Sequence, residues 1–484
     1  MPAIANIFAK IRAMLIERKN KFKQTVLANF GFTPTQDQHQ AIEVLSSFVF
    51  DVEENPLYVL KGFAGTGKTS LISAFIKTCD LYSVKAVLMA PTGRAAKVLV
   101  NYSGKPASTI HKRIYFRNTD KFGNNRFVLQ QNMFKKSIFI VDEASMVGDS
   151  GTDVSNSLLA DLLSYVYSGH HCRLIFIGDT AQLPPVGYSE SPALEAEYLK
   201  SIYPLSIHQS VLRQVMRQAE DSGVLFNATH LRVQLIQNPD VYPKFDLKGF
   251  NDIKRIEGSE FSDLLDSSYS NYGEEGTIVI TRSNKNANLY NRQIRQRIKW
   301  LDSIIEGGDY CMVVKNNYYW LDETSKAGFI ANGDVFQVLK IKTTKEIYGF
   351  KFAEAHIQLI DYPDQPPFDV MLLLDVLDVD GPSLSESDLK KLYDTIMEDY
   401  ADEPDRNKRK TLLKANPYFN ALQIKFAYCV TCHKSQGGQW NDVYIDSGYL
   451  TEEMINEDFY RWLYTALTRA TNTVFLVNFN DKFF

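Results

Sequence analysis

The chain has 484 residues, with 53 Lys and Arg against 57 Asp and Glu and a formal net charge of −4. That length exceeds what one hydrophobic core organises and predicts two to four domains. Apolar residues make up 45% of the chain and charged residues 23%, a globular balance, and no apolar run is long enough to span a bilayer. The charge excludes nucleic-acid binding by overall basicity, so such contact must come from local basic and aromatic surfaces. Five cysteines (Cys79, Cys172, Cys311, Cys429, Cys432) form an odd, sparse set that fits a reducing compartment without a disulfide framework.

The first residues to about Lys23 are basic and helix-like, without the hydrophobic core of a secretory signal, and predict a solvated leader helix. Thr35 then reads as a helix N-cap with Gln38 at the third helical position, a capping box. Standing shortly before a phosphate-binding loop, Gln38 can also reach an adenine edge, because an amide both donates and accepts. The apolar run Leu57–Leu60 predicts a buried strand, and Leu71–Ile76 a helix. Between them lies Gly62-Phe63-Ala64-Gly65-Thr66-Gly67-Lys68-Thr69, which fits the G-x-x-x-x-G-K-[ST] loop in the strand–loop–helix setting that the motif needs. Its glycines let successive N–H groups point at one anion. The residues assigned to ATP are Gly62, Ala64, Gly65, Thr66, Gly67, Lys68, Thr69 and Ser70, with Lys68 facing the β- and γ-phosphates and the Thr69 hydroxyl facing Mg²⁺.

Ala86–Ala90 predicts the next strand, ending in Pro91-Thr92-Gly93-Arg94, a second anion-binding turn at a helix start and a natural seat for a nucleic-acid phosphate. Arg113 to Leu129 alternates aromatic and basic residues, including Phe122 and Phe127, around Gly123-Asn124-Asn125, and predicts a projecting β-hairpin that splits base pairs or stacks bases. Ser137–Val141 predicts a buried strand delivering Asp142 and Glu143 to its end, Asp142 to hold Mg²⁺ through water and Glu143 to orient or deprotonate the attacking water. Arg173–Ile177 is another such strand, ending in Gly178-Asp179-Thr180-Ala181-Gln182, where Gln182 would sit near the γ-phosphate. This alternation describes a RecA-like α/β domain with a parallel sheet.

The segments Gly62–Thr69, Asp142-Glu143-Ala144-Ser145 and Gly178–Gly187 together resemble motifs I, II and III of superfamily 1B helicases, and the RecD-like and Dda-like group is the most similar type. The remaining motifs follow in order. Leu212–Gln218 is similar to the motif IV arginine segment, Ile278–Asn284 with Asn291 and Arg295 to the opening of the second RecA-like domain, and Phe329–Asp334 to its Asn-Gly turn. Tyr428–Gly437 resembles motif V and Tyr464–Ala470 motif VI. Motif V accounts for Cys429-x-x-Cys432-His433 better than haem attachment or a redox pair does.

The resemblance implies two RecA-like domains with ATP and Mg²⁺ between them, and Lys68, Glu143, Gln182, Arg217 and Arg469 as catalytic residues. It adds Gln436 and Gly437 to the ATP contacts. Nucleic-acid contacts are expected from Thr92, Gly93, Arg94, His111, Phe122, Phe127, Asn284, Thr431, His433, Lys434 and Ser435. The implied layout is a basic leader at 1–27, a first domain at 28–205 with a hairpin wedge at about 112–132, a second domain at 206–300 and 425–484, and an inserted SH3-like barrel with a helical arm at 301–424. Within the insertion, Val335–Lys342, Phe350–Ile360 and Phe368–Val376 alternate like strands, Ser385 starts a helix with an apolar stripe, and Arg406–Lys410 is a basic run that is solvated or meets DNA. The implied activity is an ATP-dependent, 5′ to 3′ DNA helicase, cytoplasmic in a bacterial or phage-infected cell. It would act as a monomer on single-stranded DNA and its duplex junctions, with a replication or single-strand-binding protein as a candidate partner and no membrane role. Rival readings are an RNA helicase, a nucleotide-gated clamp and a protein-stripping translocase.

Overall fold

A computed structural model of the chain describes residues 2–119, 125–150, 157–216, 221–237, 239–321, 325 and 328–484. The chain divides into two compact units. The first runs through Pro91 and takes in Ala95–Ile114 and Leu129–Thr229; the second comprises Thr92–Arg94, Tyr115–Val128 and His230–Phe484.

The first unit begins with α1 (Pro2–Phe30) and α2 (Gln36–Phe48). Phe22, Val26 and Phe30 of α1 are 0%, 0% and 3% exposed and recur every fourth residue, so they form one face. That face joins the same core as Ile42, Leu45, Phe75 and Ile76. The Phe22 ring meets Phe75 and Tyr82 edge-on at 6.0 and 4.9 Å. Residues 13–21 of the leader are exposed, apart from a half-buried Lys19, and it is the end of the helix from Phe22 onward that docks. The charges that mark the leader share the helix with an apolar stripe, and the stripe decides where its C-terminal half goes.

Next come β1 (Pro56–Gly62), α3 (Lys68–Leu81), β2 (Lys85–Ala90), α4 (Gly93–Ser103), β3 (Ala107–Thr109) and α5 (Ile110–Ile114). Two short strands, β4 (Tyr115–Thr119) and β5 (Asn125–Leu129), fall in the second unit except for Leu129; they pair with each other and form the expected hairpin. Phe122 and the side chain of Phe127 lie outside the described residues. The first unit continues with β6 (Ser137–Val141), α6 (Leu158–Ser168), β7 (Arg173–Gly178), α7 (Ala196–Ile202) and β8 (Ser206–Leu212), and α8 (Gly223–Gln237) leads into the second unit.

The sheet order is β3-β2-β6-β7-β1-β8, and every neighbouring pair is parallel. Parallel strands need helices on both faces, which is why β1, β6 and β7 read as continuous apolar runs. β8 lies beside β1 from Pro56↔Ser206 to Gly62↔Leu212. The domain boundary expected at 205/206 is thus corrected. Ser206–Leu212 is an edge strand with a mixed, mostly half-buried sequence, and the lack of a continuous apolar run hides its membership of the first sheet.

The second unit holds a parallel sheet and a barrel. The sheet is built from β9 (Ile253–Ile256), β10 (Thr277–Thr281), β16 (Cys429–Thr431), β17 (Trp440–Asp446) and β18 (Ala470–Val477), in the order β16-β10-β17-β18-β9. Its helices are α9 (Phe261–Tyr272), α10 (Asn284–Arg297), α13 (Cys432–Ser435) and α14 (Glu457–Leu467). The strands β11 (Tyr310–Val313), β12 (Val335–Ile347), β13 (Phe350–Leu359), β14 (Phe368–Leu373) and β15 (Leu422–Phe426) close into a barrel. Two further helices, α11 (Glu386–Glu398) and α12 (Arg406–Ala415), seat Leu392, Ile396 and Leu413 in one cluster with the barrel residues Phe350, Phe352 and Met371. The fold is α/β with parallel sheets in both units and a barrel inserted in the second.

Asn291 and Arg295 of α10 are structural. Asn291 donates to the carbonyls of Phe426 and Cys429 and accepts from Cys429 N–H, which fixes α10 against β16. Arg295 forms a bidentate pair with the fully buried Asp309 at 2.7 and 2.9 Å. Such a fork satisfies two buried charges at once.

The α1 stripe yields a stability prediction. Phe22→Ala should cost about 3–5 kcal/mol, the range for emptying a buried phenylalanine site. The check is denaturant unfolding against the parent, with an unchanged midpoint contradicting the assignment of α1 to the core.

Candidate nucleotide and nucleic-acid sites

In the first unit the C-terminal ends of β1, β6 and β7 lie side by side, since the sheet runs β6-β7-β1. Each apolar strand delivers its polar tail to the same edge, where open α/β sheets bind ligands. From β1 comes the loop Phe63–Gly67. Gly65 and Gly67 have φ of 72° and 79°, the left-handed region that a glycine enters without strain. A Cβ on Gly67 would stand 2.6 Å from Gln38 Nε2, and one on Gly62 would stand 2.8 Å from Lys68 Cγ. Lys68 Nζ donates to the carbonyls of Gly62 (2.6 Å) and Phe63 (2.9 Å) and lies 3.9 Å from Asp179 Oδ2. The ammonium is thus held inside the loop by three oxygens. Thr66 is fully buried and donates to Phe63 O at 2.7 Å, while Ala64 is half-buried and Thr69 and Ser70 are exposed at the start of α3.

From β6 come Asp142 and Glu143. Asp142 Oδ1 accepts the Glu143 N–H at 2.8 Å, and Oδ2 accepts the Tyr102 hydroxyl at 2.7 Å. Burial raises the Asp142 carboxyl above its ordinary value, and the Tyr102 hydroxyl, the Glu143 N–H and Lys68 offset that rise only in part. Burial first, and the Asp142 charge second, push the Tyr102 phenol well above its ordinary value, so it stays an O–H donor. Glu143 has φ 52° and ψ 38°, a left-handed conformation for a residue with a Cβ. Strain of this kind costs on the order of 1–3 kcal/mol and persists where surrounding structure enforces it, typically at functional sites. From β7 come Asp179, 1% exposed, whose Oδ1 accepts the Ala181 N–H, and Gln182, 6% exposed.

Gln38 completes the predicted capping box, with Oε1 accepting the Thr35 N–H at 2.9 Å. Its Nε2 donates to Thr66 O at 2.9 Å and lies 3.0 Å from Met216 Sδ. In this structure the amide expected to read an adenine edge buttresses the phosphate loop. The capping geometry aims it at the loop, and full burial leaves it little reach. Met216 N–H also bonds Gly65 O at 3.0 Å, which pins the segment after β8 to the loop. Arg217 lies outside the described residues.

The expected DNA contacts scatter over several elements. Thr92 is half-buried and Gly93 buried at the start of α4, and His111 is half-buried in α5 with its imidazole lowered by burial. Within the second unit, the Arg94 guanidinium lies 4.2 Å over the Trp440 ring, so its charge is shared with an aromatic face. Asn284 is the first residue of α10, half-buried behind the Ser283 cap. Thr431 caps α13, with His433 exposed and Lys434 half-buried. The Lys434 ammonium donates to Asn332 Oδ1, and burial lowers it to about 8. Ser435, expected to contact phosphate, is 0% exposed, and its hydroxyl donates to Cys432 O at 2.8 Å within the one-turn helix.

Gln436 is 5% exposed, and Gly437 has φ 74°. Arg469 is 3% exposed and donates from Nε to Thr465 O (3.0 Å), from Nη1 to Gly438 O (3.4 Å) and from Nη2 to Thr468 Oγ1 (3.2 Å), all in the second unit. Cys429 and Cys432 are buried, and burial pushes both thiols up, which leaves them inert as packing residues.

Asp179, Met216 and Tyr102 were not singled out from the sequence. Asp179 had a signal, its place in the quoted Gly178-Asp179 segment. Met216 had one of the same kind, its place in the Leu212–Gln218 segment, whereas Tyr102 had none, since it meets Asp142 across 40 residues of chain.

A profile of the AAA domain matches residues 47–188, and a profile of the UvrD-like helicase C-terminal domain matches 426–477. The ATP-dependent RecD2 DNA helicase of Deinococcus radiodurans is 36% identical over 27% of this chain and 16% of its own length. The ATP-dependent DNA helicase dda of Enterobacteria phage T4 is 30% identical over 33% of this chain and 34% of its own length. The chain is related to superfamily 1B helicases. This superfamily 1B relative spans well under half the length of those two curated proteins. A crystal structure of a Bacteroides Pif1 helicase with ADP-AlF3 and single-stranded DNA matches 93% of this chain and 94% of its own, at 16% identity and a TM-score of 0.46. No helix among the described residues is long and apolar enough to cross a membrane.

Proposed function

We propose that this chain is an ATP-dependent DNA helicase that moves 5′ to 3′ along single-stranded DNA. The observation that carries the reading is the convergence of Lys68, Asp142 with a strained Glu143, and Asp179 with Gln182 on adjacent strand ends. An ammonium for the phosphates, a carboxylate pair for metal and water, and a buried amide are the parts that phosphoryl transfer uses. The names of the RecD2 and dda relatives support DNA as the track.

The donor set fits Mg²⁺, since a carboxylate stands with both oxygens already oriented and the Thr69 hydroxyl opens the helix beside the loop. Thr69 and Asp142 would hold the ion, which spreads the charge of the phosphates. Lys68 leaves its carbonyl cradle for the nucleotide. Glu143 takes the proton of the attacking water, Gln182 meets the γ-phosphate, and Arg217 and Arg469 are the arginines assigned to the transferring group. Thr92, His111, Thr431, His433 and Lys434 contact the strand. Because burial lowers His111, that residue contacts phosphate as a neutral hydrogen-bond donor. The hairpin β4–β5, with Phe116 44% exposed, is the wedge that parts the duplex.

The test is ATP hydrolysis with single-stranded DNA or RNA, and unwinding of duplexes carrying a 5′ or a 3′ tail. Stimulation by DNA and unwinding of the 5′-tailed duplex are expected, and Glu143→Gln should keep nucleotide binding while losing at least about 100-fold in turnover. Stimulation by RNA alone, or unwinding of the 3′-tailed duplex alone, overturns the reading.

Lys434 adds a pH prediction. A lysine lowered to about 8 is mostly charged at pH 7 and mostly neutral at pH 9, whereas an ordinary lysine stays charged throughout. Affinity for single-stranded DNA should therefore fall as pH rises through about 8, and Lys434→Arg should flatten the fall. Fluorescence anisotropy between pH 7 and 9 measures both, and equal slopes for parent and variant would remove Lys434 from the contact set.

A further inference from the structure

Tyr102 stands where two parts of the first unit meet. Its hydroxyl donates to Asp142 Oδ2 at 2.7 Å, and its carbonyl accepts the Ser73 hydroxyl of α3 at 3.0 Å. It occupies the last turn of α4, the helix that starts at Gly93 directly after Thr92. Asp142 is also held through its main chain, since its N–H donates to Met89 O at 3.0 Å. Met89 belongs to β2, the strand that runs through Pro91 and Thr92 into α4. One continuous segment, Met89 to Tyr102, therefore grips Asp142 twice, by its backbone at one end and by its carboxylate at the other. The turn expected to hold DNA phosphate lies between the two grips.

We propose that Tyr102 is a positioning residue that sets the Asp142 carboxylate for Mg²⁺ and makes that setting answer to DNA held at the start of α4. The inference rests on the functional reading above and goes beyond it by naming the link between the track and the metal carboxylate. The physical case has three parts. A carboxylate whose two oxygens accept from two fixed donors has one orientation, and losing either donor frees its terminal torsion. An α-helix is stiff along its axis, so its ends move together; from Gly93 to Tyr102 the rise is about 14 Å. The Ser73 bond ties the same turn to α3, the helix that begins with Lys68 and Thr69. A shift of α4 as its first turn takes up a phosphate is thus passed to Asp142 through one hydrogen bond and to the phosphate-loop helix through another.

Tyr102→Phe removes the hydroxyl and keeps the ring. Three quantities are read on the full chain: the melting midpoint, the Mg²⁺ concentration that half-saturates the thermal shift given by a non-hydrolysable ATP analogue, and the ratio of ATP hydrolysis with and without oligo-dT. The melting midpoint should move by no more than about 3 °C, the size expected for one hydrogen bond in a chain this long. The Mg²⁺ midpoint should rise about threefold to tenfold, less than for loss of a support to a directly bound ligand. The oligo-dT stimulation ratio should fall about threefold or more, since the link to α4 is cut. Ser73→Ala, which loosens the same turn without touching Asp142, should lower the stimulation ratio about twofold and leave the Mg²⁺ midpoint in place; it decides the question if Tyr102→Phe fails to fold.

A Tyr102→Phe protein with the parental Mg²⁺ midpoint and the parental stimulation ratio overturns the proposal. So does one that loses basal and stimulated hydrolysis in equal proportion at an unchanged Mg²⁺ midpoint, which is the mark of a purely structural role. A parent that hydrolyses no ATP overturns the functional reading itself, and the failure is then seen before any variant is made.

Discussion

Parallel pairing of β6, β7 and β1 is the constraint from which the first unit's chemistry follows. Three strands running the same way end on the same edge. Their apolar bodies are buried between helices, so the first polar residues after each strand are forced out together at that edge. Lys68 follows β1, Asp142 and Glu143 follow β6, and Asp179 follows β7. An antiparallel neighbour at any of these places would send its tail to the opposite end of the sheet. The opposite end shows the contrast: the residues before β1 and at the start of β8 pair among themselves, with His208 Nε2 2.7 Å from Asp51 Oδ2.

The edge is held ready by small, separately modest interactions. Glycines at Gly65 and Gly67 allow the curl, Gln38 supports it from below, and the carbonyls of Gly62 and Phe63 hold the Lys68 ammonium. Each contributes on the order of a kcal/mol, yet together they leave the loop one conformation. Glu143 shows what such support permits. Its left-handed backbone is unfavourable alone and survives because β6 is fully buried behind it and the Asp142 carboxylate accepts its N–H. The second unit uses the same economy differently. Arg469 and Ser435, in segments similar to motifs VI and V, are turned onto their own main chain in this structure, whereas Lys434 is kept near its titration point by burial.

Two surroundings change how familiar residue types read. A basic helix that is solvated over residues 13–21 still joins a core at its end, where Phe22, Val26 and Phe30 recur at every fourth position. A strand without a continuous apolar run looks like a surface element until it is seen to close the edge of a buried sheet, as Ser206–Leu212 does beside β1. In each case composition reports what the residues are, and packing decides which of their faces counts.

The sequence alone determined the phosphate loop, the strand-end carboxylates, the α/β alternation, the hairpin and the barrel insertion. These depend on neighbours within a few residues: glycine spacing, apolar runs and a turn signal are local facts. It did not determine where Gln38 points, that Tyr102 holds Asp142, that Asp179 faces Lys68, or that Ser435 turns inward. Those contacts join residues 28, 40 and 111 positions apart in the first three cases, or depend on the pitch of one short turn in the last. No periodicity encodes a meeting between distant segments. Only closing the chain into a sheet of fixed order brings them within hydrogen-bonding reach.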